Sequence, residues 1–186
     1  MADTPDHIAD SFISLLQTNT YDNITIQMIC NSTPTSRNTF YYYYDSKEKL
    51  VEWICCRDFM KYCFPYFKIQ ADNISVKSFF LYIKENRNFY KAVYRSDNGR
   101  LLRHCLEQAY SRGVTKESIR EYGCIEAGPY HKVDFRIFCR YSNCGIAAVV
   151  LFWIENDMKM PIEEVAKDLA IMLTNSLEFV RDHHLF

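Results

Sequence analysis

Two neighbouring stretches decide the fold: Thr25-Ile26-Gln27-Met28-Ile29-Cys30, and Ser36-Arg37-Asn38-Thr39-Phe40-Tyr41-Tyr42-Tyr43-Tyr44-Asp45-Ser46-Lys47-Glu48-Lys49-Leu50. Thr25 is a good N-cap for a short helix from Ile26 to Asn31, with Ile26, Ile29 and Cys30 turned inward. Ser32-Thr33-Pro34 breaks it. Thr35 or Ser36 then caps a second short helix, Arg37 to Tyr43. Two short helices joined by a tight turn form the helix-turn-helix pattern. The second helix must pack one face and offer the other. Phe40 and Tyr44 are the packing side, and Arg37, Asn38, Tyr41 and Tyr42 lie opposite. Arg pairs bidentately with guanine and Asn with adenine in a major groove. Tyr and Thr hydroxyls reach phosphate oxygens. Ser46-Lys47 brings a cation to a helix N-terminus, a suitable phosphate site.

The pattern extends in both directions. Upstream, Thr4-Pro5 is a helix start, and Ile8, Phe12, Leu15 and Leu16 mark one helical face running out near Asn19. Tyr21-Asp22-Asn23 is a turn. Downstream, Ser46 caps a longer helix through Leu50, Trp53, Ile54, Met60 and Phe64, ended by Pro65. Further helices are predicted over 75–85, 88–94, 100–112 and 116–122, then a loop over 123–129 and a long apolar helix over 133–156. Ile162, Val165, Ala166, Leu169, Met172, Leu173, Leu177 and Val180 draw one stripe on the last helix.

Composition agrees with an all-α chain of about nine helices. Of 186 residues only five are Gly and five Pro, too few for the tight turns of a sandwich or barrel. The 48% apolar fraction is enough for a substantial core and argues against disorder. Eight cysteines are an even number, but the N-terminus lacks the basic and apolar regions of a secretion signal, so reduced thiols and a cytoplasmic location are expected. No C-x-x-C and no His pair at metal spacing occurs, so no metal is expected. The longest apolar run, Cys144 to Ile154, is about half of what a membrane span needs and reads as a helix buried in protein.

The quoted stretches resemble the DNA-binding signature of TetR/AcrR-type regulators in spacing, caps and aromatic order, over about residues 8 to 54. Asn86-Arg87-Asn88-Phe89-Tyr90 and Trp153-Ile154-Glu155-Asn156 are similar to a subgroup that includes activators of dihydroxyacetone-kinase operons. The resemblance implies a helix-turn-helix domain over residues 1–48 and an effector-binding and dimerising domain over 49–186. It implies phosphate contacts for Thr25, Ser36, Thr39, Tyr41 and Lys47, and base contacts for Arg37, Asn38 and Tyr42. A ligand cavity is implied within the aromatic middle of the chain, at Trp53, Phe59, Tyr62, Phe79, Tyr82, Tyr90, Leu106 and Tyr110. The last two helices read as a dimer surface, with Gly145, Ala148, Phe152, Val165, Leu169, Met172, Leu173 and Leu177 in it. Two departures stand out. Pro34 occupies the turn position where the family usually has Gly, and Cys30 replaces the usual Ala.

The expected function is a ligand-responsive repressor that binds a palindromic operator as a homodimer, with double-stranded DNA and an unidentified small molecule as partners. The net charge is −1, and the first 50 residues carry three cations against six carboxylates. So few cations imply a shallow salt dependence of DNA binding. They also motivate an alternative: a regulator-fold interaction module that needs a partner protein to act on DNA. No nucleophile, metal or phosphate-loop motif appears, so neither enzyme activity nor a cofactor is expected.

Overall fold

A computed structural model describes residues 4–62, 73–113, 124–126 and 132–182. The described helices are α1 (Thr4–Leu15), α2 (Ile26–Asn31), α3 (Arg37–Tyr43), α4 (Lys47–Tyr62), α5 (Asn73–Glu85), α6 (Arg87–Asp97), α7 (Arg100–Gly113), α8 (Phe135–Glu155) and α9 (Ile162–Asp182). The fold is all-α, with one short ribbon between α7 and α8. There β1 (Cys124–Glu126) pairs antiparallel with β2 (Lys132–Asp134), Ile125 opposite Val133.

The ribbon corrects two sequence expectations. Part of the predicted 123–129 loop is strand, and the long apolar helix starts at Phe135 rather than Val133. Asp134 ends β2 and caps α8, accepting from the Arg136 backbone N–H at 2.8 Å. A helix cannot extend back through a residue held in the extended conformation of a cap. The helix expected over 116–122 lies outside the described residues, as do the side chains of Tyr110, Leu173 and Leu177.

The helix-turn-helix head forms around Ile8, Phe12, Ile29 and Phe40, all fully buried, with Tyr44 and Leu50 closing it. Helix α4 starts in the head and continues along α7 into the larger domain. That domain packs α5 on α9 and α8 on α7. Its centre is Trp153, 1% exposed, edge-on to Phe80 at 5.1 Å and donating its indole N–H to the Met160 carbonyl at 2.9 Å. A 20-residue stretch of α8 is long and apolar enough to cross a membrane by composition alone. Half of it is buried inside the chain, which accounts for the hydrophobicity of its inner face.

The link between α6 and α7 depends on a glycine. Asn98 and Gly99 take φ of 57° and 79°. A Cβ on Gly99 would meet the Tyr94 ring at 2.7 Å, so both space and conformation demand glycine here.

Candidate nucleic-acid interface

Local chemistry fixes the helix-turn-helix. The Thr25 hydroxyl accepts from the Met28 N–H at 3.2 Å and the Ser36 hydroxyl from the Thr39 N–H at 3.1 Å, each satisfying a helix-end donor. Ser36, rather than Thr35, is therefore the cap. Between the helices, the Ser32 hydroxyl donates to the Met28 and Ile29 carbonyls, with oxygen separations of 3.1 and 2.9 Å. The Ser32 hydroxyl also contacts that of Ser11 on α1. No residue from 32 to 36 has a positive φ. The turn therefore closes without a left-handed residue, which is why Pro34 fits where a glycine was expected.

On α3, Phe40 is fully buried and Tyr44 nearly so, and the opposite face is open. Arg37 and Asn38 are exposed, and their side chains make no hydrogen bond among the described residues. Tyr42 is 81% exposed, more than any other large hydrophobic side chain among the described residues. Its ring meets Tyr43 edge-on, centroids 4.9 Å apart, and Tyr41 meets Phe40 in the same way at 5.6 Å. The buried Phe40 thus braces one projecting ring. Two rigid aromatic side chains and two free polar ones stand on one short helix, with chemistry suited to base edges and phosphates. Tyr43, which the sequence reading left out, is also exposed. Its position one residue after Tyr42 carried no periodic signal.

Lys47 occupies a different environment from the free phosphate cation expected. Its ammonium donates to the Tyr21 carbonyl at 2.7 Å and the Ile24 carbonyl at 3.0 Å, and lies 4.1 Å from the Tyr21 ring centroid. Burial pulls its pKa below the usual lysine value. Two of its three protons hold the loop before α2, and one remains for another acceptor.

The residues predicted for a ligand cavity separate into two groups. Tyr62 stacks on Tyr82 at 4.3 Å, and Phe59 meets Phe79 edge-on at 5.8 Å, so these come together between α4 and α5. Tyr90 on α6 is buried, its hydroxyl 3.4 Å from an Asp58 oxygen. Leu106 is buried on α7. Trp53 is elsewhere: its ring packs against Tyr44 of the head at 5.8 Å, a junction position rather than a domain centre. A groove of about 320 Å³ between the α1–α2 loop and α6 is lined by none of these residues.

The predicted dimer residues also divide. Val165 and Leu169 are buried inside the chain, so their hydrophobicity is explained without a second subunit. Gly145, Ala148, Phe152 and Met172 are exposed. The exposed face of α8 is in fact a longer stripe. Ile137 and Tyr141, 66% and 71% exposed, continue the row of Gly145, Ala148 and Phe152 at steps of three and four residues. That spacing was legible in the sequence, but hydrophobicity all around the helix concealed which face was free.

Comparison with known proteins gives a consistent match. Residues 10–54 match the model for bacterial regulatory proteins of the tetR family, and residues 74–175 match a transcriptional regulator C-terminal region. The HTH-type dhaKLM operon transcriptional activator DhaS of Lactococcus lactis subsp. lactis (strain IL1403) is 25% identical over 144 residues, 76% of this chain and 74% of that protein. Two solved structures have similar folds. A dihydroxyacetone kinase operon activator DhaS has a TM-score of 0.59 at 21% identity, with 94% of this chain and 96% of that chain covered. A TetR transcriptional regulator from Streptococcus agalactiae 2603V has a TM-score of 0.54 at 23% identity, with 92% and 93% covered.

Proposed function

The chain belongs to the TetR family of transcriptional regulators, and from that premise we propose that it is a ligand-responsive regulator acting as a homodimer on a palindromic operator. The observation that carries the reading is the open face of α3, where exposed Arg37, Asn38, Tyr41 and Tyr42 stand on a helix locked by the Ser36 cap and the buried Phe40. Arg37, Asn38 and Tyr42 are the proposed base contacts. Thr25, Ser36, Thr39, Tyr41 and the remaining proton of Lys47 are the proposed phosphate contacts. Two such helices, related by a two-fold axis, would enter successive major grooves about 34 Å apart.

The apolar stripe Ile137, Tyr141, Ala148 and Phe152, with Ile171 and Met172 on α9, supports a second copy as its partner. An isologous contact of α8 and α9 from two subunits buries a contiguous apolar surface that water would otherwise cover. A cytoplasmic location accords with a chromosomal target. The proposed effector site is the aromatic cluster of Phe59, Tyr62, Phe79, Tyr82 and Tyr90, and ligand and DNA would weaken each other through linkage.

A second reading concerns the sign and autonomy of regulation. The curated relative is an operon activator, which favours activation here over the repression expected from sequence. The acidic head favours a protein partner in that role. Gel-shift titration of the purified dimer at low salt, against the DNA upstream of its own operon and against random DNA, tests both. Preference for the upstream DNA by the protein alone supports autonomous binding. Equal, weak binding to the two, rising only with added cell extract, supports the partner-dependent version. Equal binding under all conditions removes the function.

A further inference from the structure

Two ionic ties leave α4 on different sides. Glu52 is buried and accepts from Lys49 at 2.7 Å and from Arg112 of α7 at 2.8 Å, tying α4 to the larger domain. Arg57, five residues later and about 140° around the helix at roughly 100° per residue, points back to the head. Its terminal nitrogen donates to Asp6 at 3.0 Å and Asp10 at 3.3 Å on α1. These two carboxylates account for a third of the acidic side chains in the first 50 residues. Their place in the fold is thus an ion pair across the domain boundary.

The other side of the guanidinium is held from within. Arg57 Nε donates to Asp58 at 3.1 Å. Asp58 is 1% exposed, and its second oxygen lies 3.4 Å from the hydroxyl of Tyr90, which donates to it. The Tyr82 hydroxyl also faces it. The Arg57 guanidinium in turn lies 5.3 Å from the centroid of the Trp53 ring, which packs on Tyr44 at the end of α3. The Tyr44 hydroxyl donates to the Pro5 carbonyl at 3.1 Å, next to Asp6. Tyr44, Trp53, Arg57, Asp6 and Pro5 therefore make a closed circuit around the base of the recognition helix.

We infer that Asp58 is a positioning residue for this circuit: it holds Arg57 by Nε, leaving the outer nitrogen aimed at Asp6 and Asp10, and so couples the aromatic centre of the larger domain to the DNA-binding head. A planar guanidinium can serve both sides at once because its donors diverge in a fixed fork. Any change that draws the Tyr82 or Tyr90 hydroxyl away from Asp58 alters what holds Arg57, and through it the seating of α1 and α3. The regulatory use of this coupling rests on the proposed function above. Its existence does not, and the test needs neither DNA nor effector.

The experiment is amide hydrogen exchange of the full chain by mass spectrometry, for the parent, Asp58→Asn, Asp6→Asn/Asp10→Asn and the triple variant. Asp58→Asn is expected to speed exchange of α1 by at least about ten-fold, the lower end of what one hydrogen bond to a charged group contributes, with Arg57 as the link between the two. In the Asp6→Asn/Asp10→Asn background it adds nothing further. Unchanged exchange of α1 in Asp58→Asn overturns the inference. Equal acceleration in both backgrounds also overturns it, because the effect then runs by another route, such as the contact of Phe12 with Phe89 at 6.2 Å. Should Asp58→Asn fail to fold, Arg57→Lys replaces it. A point-charge ammonium cannot span both partners, so α1 is expected to exchange as fast as in Asp6→Asn/Asp10→Asn, and parent-like exchange overturns the inference.

Discussion

The ammonium of Lys47 donates to the carbonyl of Tyr21 at 2.7 Å, joining the first turn of α4 to the loop that precedes α2. The two residues are 26 positions apart in sequence. A residue whose sequence context suggests a phosphate contact is thus also a staple of the DNA-binding fold. Removing it leaves the Tyr21 and Ile24 carbonyls without their charged donor. Lys47→Met is therefore expected to lower the stability of the DNA-free protein by about 1–3 kcal/mol, read as a lower urea midpoint. An unchanged midpoint accompanied by weaker DNA binding would assign Lys47 to DNA alone.

The opposite pattern is expected on the recognition face. Tyr42 is 81% exposed, so Tyr42→Ala should leave stability within about 0.5 kcal/mol and weaken operator binding. Arg37→Ala should cost about 1–3 kcal/mol of operator affinity and relax base preference at one position. A competition assay over a randomised operator reads both. Retention of the parental preference by both variants would remove them from the reading surface. The slope of log affinity against log salt should be shallow, reflecting the few cations of the head.

In the proposed dimer, Gly145 separates folding from assembly. A Cβ placed there meets nothing within 4 Å in the single chain. Intrachain packing therefore gives no reason for glycine, and Leu is favoured over Gly inside a helix by about 1 kcal/mol. Gly145→Leu should leave each subunit folded and shift sedimentation from dimer to monomer, because close approach of a partner helix is blocked. A parent-like dimer at the same concentration would place the interface away from this face.

Glu52 supplies a pH signature. Its hydrogen bond from Lys49 is the largest cause holding its pKa below the ordinary glutamate value, outweighing the opposing effect of burial. A carboxylate with a lowered folded pKa contributes stability that is present above its unfolded pKa, about 4.3, and is lost as pH falls through the folded value. The stability gap between the parent and Glu52→Gln should therefore be full at neutral pH and shrink below about pH 4. A gap that is constant from pH 7 to pH 3 would show that Glu52 acts by packing alone. Asp58 has the reverse sign. Burial raises its pKa, so its titration favours the fold at acid rather than neutral pH.

What the sequence alone determined are the features set by interactions a few residues long. Thr25 identified one helix start and Thr35-Ser36 bracketed the other, because a cap bonds to a donor three residues away; the bond from the Thr39 N–H then chose Ser36. The spacing of Ile8, Phe12, Ile29 and Phe40 foretold the core of the head, because helical periodicity fixes which side chains share a face. The all-α class and the open face of α3 came from the same short-range rules. What the tertiary structure decided are the partners of charges and the free side of an apolar helix. Arg57 meets Asp6 across 51 positions, and Lys47 meets Tyr21 across 26. No local pattern encodes such pairs, since a charged side chain is compatible with any opposite charge that the fold brings near. The β ribbon likewise depends on pairing between two three-residue segments too short to declare themselves. Helix α8 makes the same point. Its sequence is apolar on several sides, and only the packing of α7 and α6 against it left Ile137, Tyr141 and Phe152 exposed on another.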